Sequence, residues 1–256
     1  MSRILITGSA DGLGLMAGQQ LVEQGHQVTL HARNEARAKD ARAALPGAEH
    51  VVIGDVCLLS EMKRVAEQAN ATGPFDAVIH NVAIGYREPK RAETADGIER
   101  VFAINVLAPY VLTSLLTPPR RLVYLSSGMH RGGEADLHDP QWKTRPWNGS
   151  QAYANSKLFD VVLAFAFARR WPKVLSNATE PGWVATKMGG ATAPDDLTLG
   201  AVTQAWLAVS DDAAAKISAG YFFHQKPREV HPQASDPGLQ DHLLAYCESL
   251  SGVKAP

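Results

Sequence analysis

The first half of the chain alternates between short apolar runs and longer segments with helical spacing. This alternation limits the fold more than any other feature of the sequence. The apolar runs predict buried strands over residues 4–7, 27–31, 51–53, 77–80 and 122–126. The segments between them predict helices over residues 13–24, 34–44, 60–71 and 97–116. Repeated β-α-β units with short links imply a parallel sheet with helices on both faces, and right-handed crossovers make it doubly wound.

The same pattern continues into the second half of the chain. Helices are expected over residues 151–171 and 198–209, with strands over 174–179 and 220–224. We therefore predict an α/β Rossmann-type fold with a mostly parallel seven-stranded sheet. The 256 residues, 45% of them hydrophobic, fit one domain.

The bulk composition excludes several classes of protein. A formal net charge of -1 gives no indication of a nucleic-acid partner or an anionic membrane. There is no apolar leader and no run of roughly 18 apolar residues, so we expect a cytoplasmic protein without membrane contact. Cys57 and Cys247 are expected to be free thiols, although the sequence does not exclude a disulfide. No Cys/His cluster has the spacing of a metal site, and none is predicted.

A glycine-rich turn follows the first predicted strand and opens the first helix. Glycines there allow a tight turn and close backbone approach, and the free N–H groups of the helix face a pyrophosphate. The spacing Thr-Gly-x-x-x-Gly-x-Gly resembles the pattern of the short-chain dehydrogenase/reductase family. It differs from the glycine spacing of ordinary dinucleotide-binding dehydrogenases and of sugar-nucleotide epimerases. The candidate cofactor-binding residues of this turn are Gly8, Ser9, Asp11, Gly12, Leu13 and Gly14.

The end of the second strand bears on the choice between NAD(H) and NADP(H). An acidic residue there bonds the ribose 2′-hydroxyl, whereas an arginine accepts the 2′-phosphate. Arg33 and Asn34 occupy this position, so NADP(H) is preferred and NAD(H) remains possible. Alternatively, Arg33 only solvates the start of a helix. Asp11 stands where NADP-preferring relatives often carry a basic residue, and it either repels the phosphate or caps the helix and pairs with Arg33.

Two further segments carry candidate cofactor contacts. Asp55 and Val56 follow the third strand and resemble the family's adenine-contacting pair, although Asp55 also suits a helix N-terminus. Asn81 and Ala83 follow the fourth strand, where the family usually has Asn-Asn-Ala-Gly. Ile84 replaces the last glycine of that motif, which puts the geometry of the turn in doubt.

Tyr153 and Lys157 form the most specific pair in the sequence. Residues four apart share one face of a helix. A tyrosine has an ordinary pKa near ~10, and a nearby ammonium lowers it by stabilising the phenolate. Such a pair is chemically suited to moving a proton to or from an alcohol oxygen.

The family resemblance assigns roles to further residues and extends from residue 4 to about residue 224. It implies that residues 1–125 are mainly the cofactor-binding half of the domain and residues 126–256 the catalytic and substrate half. Ser127 would polarise the substrate carbonyl, and Tyr153 would donate or accept the proton. Lys157 would lower the pKa of Tyr153 and bond the nicotinamide ribose. Asn105 would help to hold a relay water, and a kink or a buried backbone contact at this residue is compatible with that role. The segment after the sixth strand would bind the nicotinamide and pyrophosphate through Pro181, Gly182, Val184 and Thr186.

The substrate is expected to be a carbonyl or alcohol compound. The segment 128–150 resembles the retinol-dehydrogenase-like and carbonyl reductase branch, which acts on large apolar molecules. Trp142, Trp147, Met129, Trp183 and Met188 are candidate pocket residues. The alternative is that the tryptophans only anchor the loop. Residues 189–196 form a possible lid.

Assembly and function each leave alternatives. The helices that carry Asn105 and Tyr153 often pair in family members, which implies a homodimer, whereas the long loop favours a monomer. The function predicted from the resemblance is that of an NADP(H)-dependent oxidoreductase. One alternative is a non-catalytic NADP-binding sensor, against which the set of Asn105, Ser127, Tyr153 and Lys157 argues. A nucleotide-sugar epimerase or dehydratase is disfavoured by the glycine spacing.

Overall fold

One sheet runs through the centre of the chain, which a computed structural model describes over residues 1–255. In the order β3-β2-β1-β4-β5-β6-β7-β8, the strands are parallel except for the last pair. This is the doubly wound α/β arrangement predicted from the sequence, which is thereby confirmed. The strands are β1 (Arg3–Ile6), β2 (Gln27–Ala32), β3 (His50–Ile53), β4 (Ala77–His80), β5 (Arg121–Leu125), β6 (Leu175–Thr179), β7 (Tyr221–Phe223) and β8 (Lys226–Pro227).

The eighth strand is the one that the sequence did not predict. β8 has two residues and pairs antiparallel with β7, where Phe223 lies opposite Lys226 and Phe222 opposite Pro227. Proline lacks an N–H donor, so it is tolerated at a sheet edge such as this one. A strand of two residues, one of them a proline, is too short to show the alternation of apolar and polar residues that marks a strand. For this reason the sequence pattern indicated seven strands.

The helices match the predicted ones with shifted ends. The predicted helix over 97–116 is divided into α4, a π-helical turn over Ala103–Leu107 and α5. The predicted helix over 198–209 begins later, after a short 3-10 turn over Leu197–Leu199. The helices are α1 (Gly12–Glu23), α2 (Glu35–Ala44), α3 (Leu59–Ala71), α4 (Arg100–Phe102), α5 (Ala108–Leu115), α6 (Gly149–Arg170), α7 (Val202–Val209) and α8 (Pro237–Ser251).

Apolar side chains cover both faces of the sheet. In β1, Leu5 packs into the core beneath α3, α5 and α6, whereas Ile4 and Ile6 pack into the core beneath α1 and α7. All three side chains are fully buried. A strand buried on both faces shows a continuous apolar run, which explains why the first strand was easy to recognise.

The C-terminal helix α8 covers α6 and α5. The Arg169 guanidinium lies 2.5 Å from Asp241, and Tyr246 packs edge-on against Phe102 with ring centroids 5.5 Å apart. The Tyr110 hydroxyl donates to the carbonyl of Val253 at 2.7 Å. The tail of the same protomer therefore packs on part of the surface of α5 and α6. The resemblance could not show this, because the tail lies beyond the part of the chain that it covers.

Two further observations bear on the composition-based expectations. Cys57 is partly buried and Cys247 fully buried, and both are free. Within residues 1–255, no helix is both long enough and apolar enough to cross a membrane.

Candidate active site

The glycine-rich turn lies where β1 and β4 are neighbours and the strand order reverses. Ligands bind in open α/β sheets at such a switch point, beyond the carboxyl ends of the strands. Gly8 and Gly12 have φ values of 63° and 55°, which favour glycine. A Cβ on Gly14 would lie 2.7 Å from the Gly8 carbonyl oxygen and 2.9 Å from the Ser9 Cα. The turn and the start of α1 therefore pack as closely as the sequence predicted.

A buried histidine supports this turn from below. His31 Nδ1 accepts from the Gly8 N–H at 2.9 Å, so Nε2 carries the proton and donates to the Gly54 carbonyl at 2.9 Å. Burial lowers the pKa of His31, which keeps the ring neutral as this geometry requires. His31 thus links the turn after β1 to the end of β3, a role that the sequence did not predict.

Ser9 and Asn81 also support the turn. The Ser9 hydroxyl donates to the Ile6 carbonyl at 2.7 Å and accepts from the His31 N–H at 2.9 Å, and the residue is fully buried. The Asn81 amide donates to the carbonyls of Thr7 and Gly8, each at 3.0 Å. Both side chains therefore hold the turn in shape, and the cofactor contacts of these two residues stay predictions.

Asp11 connects three separate segments. Its Oδ2 lies 2.7 Å from Arg37 of α2 and 2.5 Å from Lys187 of the loop after β6. The hydrogen bond from Lys187 lowers the pKa of Asp11, with further contributions from the charges of Lys187 and Arg37. The alternative in which Asp11 pairs with Arg33 is wrong, because Arg37 lies one helical turn further and takes that place. Arg33 is exposed.

The remaining residues of the expected adenosine site lie near the ends of β2, β3 and β4. Asn34 caps α2 by accepting from the Arg37 N–H at 2.9 Å. Asp55 accepts from the Cys57 N–H at 3.1 Å, and the Val56 side chain packs into the core. Ala83 is partly buried in the segment after β4. Of these residues, Asn34, Asp55 and Val56 have structural uses for their side chains.

A cavity of about 820 Å³ opens beside the catalytic candidates. It brings together residues from the turn after β1, the end of β5, helix α6 and the loop after β6. The predicted site residues that line it are Leu13, Ser127, Met129, Tyr153, Pro181, Gly182, Trp183, Val184, Thr186 and Met188.

Tyr153 is 6% exposed at the wall of this cavity. Its hydroxyl contacts the Met188 sulfur at 3.8 Å, and its ring stands edge-on to Tyr86 with centroids 5.8 Å apart. Burial raises the pKa of Tyr153, while Lys157 and Ser127 act in the opposite direction. The predicted stabilisation of the phenolate by Lys157 is present, but desolvation outweighs it.

Ser127 is arranged to donate its hydroxyl proton. Its Oγ accepts from the Met129 N–H at 3.2 Å, and its carbonyl accepts from the His130 ring at 2.8 Å. The O–H bond can then be aimed at an oxygen in the cavity. Ser126 differs, because its hydroxyl donates to the Lys157 carbonyl at 2.7 Å. The hydroxyl proton of Ser126 is therefore used inside the protein, whereas the role of Ser127 at the substrate stays a prediction.

Lys157 is 2% exposed and is held at the end of β5. Its Nζ donates to the Leu125 carbonyl and to Asp160 Oδ2, each at 2.8 Å. The third N–H of the ammonium remains for another acceptor. Asp160 was not singled out in the sequence, although its spacing of three residues from Lys157 on a helix is a recognisable signal.

Asn105 lies in the π-helical turn and is 1% exposed. Its Oδ1 accepts from the Ile84 N–H at 2.9 Å, and its Nδ2 donates to the Ile84 carbonyl at 3.1 Å and to the Ser156 hydroxyl at 3.0 Å. The amide therefore fixes the backbone at Ile84, which is the buried backbone contact expected beside the relay role. The same contact fixes the turn whose geometry Ile84 had put in doubt. The relay water itself stays a prediction.

The loop after β6 folds over the cavity. Gly182 has a φ of 83°, and a Cβ there would lie 2.7 Å from a carboxylate oxygen of Asp195. Val184 pairs with Asp195 in an isolated parallel bridge, and the Thr186 hydroxyl accepts from the Gly189 N–H at 3.1 Å. Trp183 remains 51% exposed. Val184 and Thr186 therefore reach the cavity from a loop with a defined shape.

Trp142 and Trp147 do not line this cavity, and the prediction that they do is corrected. Their rings pack against each other with centroids 5.7 Å apart, and Arg145 lies over Trp142 at 3.7 Å. The Trp147 indole donates to the Glu88 carbonyl at 2.9 Å. Both tryptophans anchor the 128–150 segment to the body of the protein, which was the alternative interpretation.

Charged residues that the sequence did not single out take their place in the cavity wall. Arg131 lies 3.2 Å from Glu180 and also donates to the Glu229 carbonyl at 3.3 Å. Arg228 lies over the Phe223 ring at 5.0 Å, and all these side chains line the cavity. Two of them, Arg228 and Glu229, directly follow β8, so only tertiary contacts reveal them.

The residues of this site fit a nicotinamide dinucleotide. Among the described residues, Asp11 makes no side-chain capping bond to α1, which leaves N–H groups of the first turn for a phosphate. The close approach at Gly14 and the cavity beside Tyr153 complete a cradle for the two ends of such a molecule. Within residues 1–255, no group of three or more His, Cys, Asp or Glu side chains is arranged to hold a metal ion.

Comparisons with known proteins agree with this geometry. Residues 2–197 match the family described as short chain dehydrogenase. The chain is 46% identical over 260 residues to uncharacterized oxidoreductase AN7799 of Emericella nidulans, covering 100% of this chain and 99% of that protein. It is 29% identical over 287 residues to human retinol dehydrogenase 13, covering 99% and 85%. A crystal structure of an uncharacterized protein from Mycobacterium Paratuberculosis superposes with a TM-score of 0.86 at 26% identity, covering 100% and 95%.

The protein is thus a dehydrogenase/reductase enzyme. The chain belongs to the short-chain dehydrogenase/reductase family, and the predicted likeness to the retinol-dehydrogenase-like branch is confirmed.

Proposed function

We propose that this enzyme interconverts a carbonyl compound and its alcohol with NADP(H) as the preferred cofactor. One observation carries the proposal, namely that Tyr153 and Ser127 line the same cavity as Val184 and Thr186. A substrate oxygen between Tyr153 and Ser127 would therefore lie near the expected nicotinamide end of the site. Proximity of this kind is a large part of catalysis.

The residues divide the work of proton transfer. The dinucleotide supplies or accepts the hydride when it is bound. Ser127 donates a hydrogen bond to the substrate oxygen, because the bond that its oxygen accepts from the Met129 N–H leaves the hydroxyl proton to be donated. Tyr153 gives its proton to that oxygen in reduction and takes it back in oxidation. Burial raises the pKa of Tyr153, and the positive charge of Lys157 opposes this rise by stabilising the phenolate.

The preference for NADP(H) rests on charge near the end of β2. Arg33 is exposed there, and Arg37 lies one turn along the adjacent helix. The carboxylate of Asp11 is paired with both Arg37 and Lys187, so its charge is offset. The objection that Asp11 would repel a 2′-phosphate is thereby weakened. NAD(H) remains the second cofactor to test.

The shape of the cavity refines the expected substrate. Met129, Trp183 and Met188 supply apolar surface, while Arg131 and Glu180 supply charge on the same wall. A carbonyl compound of moderate size with one apolar and one polar portion suits this lining better than a purely apolar one.

The test is turnover of a panel of aldehydes, ketones and alcohols by wild type and Tyr153→Phe. Loss of the general acid should lower kcat by roughly hundredfold or more, with NADPH binding unchanged. Tyr246→Phe is the matched control, since Tyr246 packs against Phe102 and bonds Gln141 outside the cavity. Full turnover by Tyr153→Phe on a confirmed substrate would show that the assignment is wrong.

A further inference from the structure

A buried carboxylate lies one helical turn beyond Lys157. Asp160 Oδ2 is 2.8 Å from Lys157 Nζ, and the two side chains are 4% and 3% exposed. Buried charges are costly unless they are paired and hydrogen-bonded. The Leu125 carbonyl completes the pairing by accepting from Lys157 at 2.8 Å. The ammonium is therefore tethered at two points in the protein interior.

This tether changes what Lys157 contributes to Tyr153. The ammonium lies 5.7 Å from the centroid of the Tyr153 ring, near enough to stabilise a phenolate. Asp160 carries the opposite charge against the same ammonium. At Tyr153, the charge of Asp160 therefore offsets part of the effect of the Lys157 charge, in surroundings where water does not screen either group.

We propose that Asp160 is a positioning residue that tethers Lys157 at the end of β5 and offsets its charge, so that the Lys157–Asp160 pair, rather than Lys157 alone, sets the acidity of Tyr153. The inference rests on the proposed function in taking Tyr153 as the proton-transferring group. It concerns which neighbouring residues set the acidity of Tyr153.

The electrostatics support this arrangement. Burial raises the pKa of Asp160 to about 6 although Lys157 opposes it. Burial disfavours the charged form of Lys157, but Asp160 and Tyr153 outweigh it, so the pKa of Lys157 is raised. Burial raises the pKa of Tyr153, and Asp160 raises it further while Lys157 lowers it.

Other titratable groups face this cluster from neighbouring elements. Tyr124 of β5 interacts with Asp160, and Tyr86 of the segment after β4 interacts with Tyr153. His80 of β4 lies behind Tyr124, with ring centroids 4.8 Å apart, and burial lowers its pKa to about 3. His80 is therefore neutral at working pH and does not compete with Asp160 for Lys157.

The test is the ionisation of Tyr153 in the protein without cofactor. Tyrosinate absorbance is titrated for wild type and Asp160→Asn, each with a Tyr153→Phe version whose signal is subtracted to remove the other five of the six tyrosines. The amide keeps the size of Asp160 but removes its charge. Tyr153 should then ionise at lower pH, with its ionisation constant raised at least tenfold. An unmoved or higher titration would overturn the proposal.

Controls separate this outcome from misfolding and from failure of the proposed function. Asp241→Asn removes the exposed ion pair between α8 and Arg169, which lies on the same helix as Tyr153. This variant should leave the titration of Tyr153 unchanged. Thermal unfolding establishes that each variant is folded, and Asp160→Ser replaces the amide variant if that one is not. Full turnover by Tyr153→Phe would contradict the proposed function, whereas an unmoved Tyr153 titration with an inactive Tyr153→Phe would contradict only the role of Asp160.

Discussion

Lys187 Nζ lies 2.5 Å from Asp11 Oδ2, which joins the loop after β6 to the glycine-rich turn across 176 positions of sequence. Lys187 is 85% exposed and Asp11 47%, so the pair is accessible to solvent and to salt.

Lys187→Gln should weaken NADPH binding because Asp11 then keeps more of its negative charge near the phosphates. Exposed pairs are worth about 0.2–1 kcal/mol, so the dissociation constant should rise by up to about fivefold. Fluorescence titration of NADPH at low and high ionic strength measures the effect, and salt should shrink it. Lys216→Gln breaks an exposed pair with Asp211 elsewhere and should bind as wild type. Equal binding by both variants would contradict the role of Lys187.

Arg33→Glu should weaken NADPH binding about tenfold or more and leave NADH binding nearly unchanged. The reason is that only NADPH carries the 2′-phosphate, whose bond to a guanidinium is charge-assisted. Calorimetric titration with each dinucleotide provides the comparison. Arg42→Glu makes the same charge change at an exposed position in the last turn of α2 and serves as the control. A similar loss for both dinucleotides would exclude the phosphate role of Arg33.

His31→Ala should weaken NADPH and NADH equally, which distinguishes it from Arg33→Glu. Removing the ring leaves the Gly8 N–H and the Gly54 carbonyl without their partner, at a cost of about 1–3 kcal/mol. The glycine-rich turn should loosen, and both dissociation constants should rise about tenfold. Binding of the two dinucleotides and thermal unfolding are measured together. Unchanged affinity with lowered stability would limit His31 to a folding role.

Gly14→Ala should impair cofactor binding through steric conflict in the turn. The added Cβ would meet backbone atoms of Gly8 and Ser9 at 2.7 Å and 2.9 Å, so the backbone must shift. Gly132→Ala is the matched control, because a Cβ there has nothing within 4 Å. The first variant should lose NADPH affinity by tenfold or more, while the second stays within twofold. Indistinguishable variants would mean that the turn adapts without cost.

The stability of the fold should fall as the pH drops below about 6.5. Burial lowers the pKa of His80 to about 3 and that of His130 to about 4, so the unfolded chain binds protons that the folded chain excludes. Each histidine removes up to about 1.4 kcal/mol per pH unit between its unfolded and folded pKa values. Asp160, whose pKa is raised to about 6, acts with the opposite sign and offsets part of this loss.

Urea unfolding between pH 7.5 and 4.5 measures this dependence. His80→Gln should reduce the slope of the unfolding free energy against pH by the equivalent of about one bound proton, because glutamine does not titrate. His138→Gln changes an exposed histidine and should leave the slope as in wild type. A His80→Gln slope equal to that of wild type would contradict the link to burial.

Local patterns predicted the fold and the catalytic pair. The strand β1 and the glycine-rich turn after it are each formed by residues that are adjacent in the sequence. Their structure could therefore be predicted from the sequence alone. Tyr153 and Lys157 share a helix face, and their proximity follows from its period. Both features lie within single elements or at their junctions.

Contacts between distant segments could not be predicted in the same way. The resemblance assigned Asn105 to a relay water, and Ile84 departs from the family motif, but only the fold shows that Asn105 fixes the backbone of Ile84. Trp142 suited a pocket by composition, whereas the face that the loop turns inward is decided by its packing against Trp147. Arg228 reaches the cavity because β8 turns back along β7, and a two-residue strand leaves no mark in the pattern.

The packing of α8 on α6 has a consequence for how the enzyme behaves on dilution. Many assemblies stabilise a catalytic helix with a neighbouring subunit, and their specific activity then declines once the concentration falls below the dissociation constant. Here Arg169 and Asp241 join the helix that carries Tyr153 to a segment of the same chain. The support is therefore intramolecular, and specific activity should stay constant from micromolar to nanomolar enzyme.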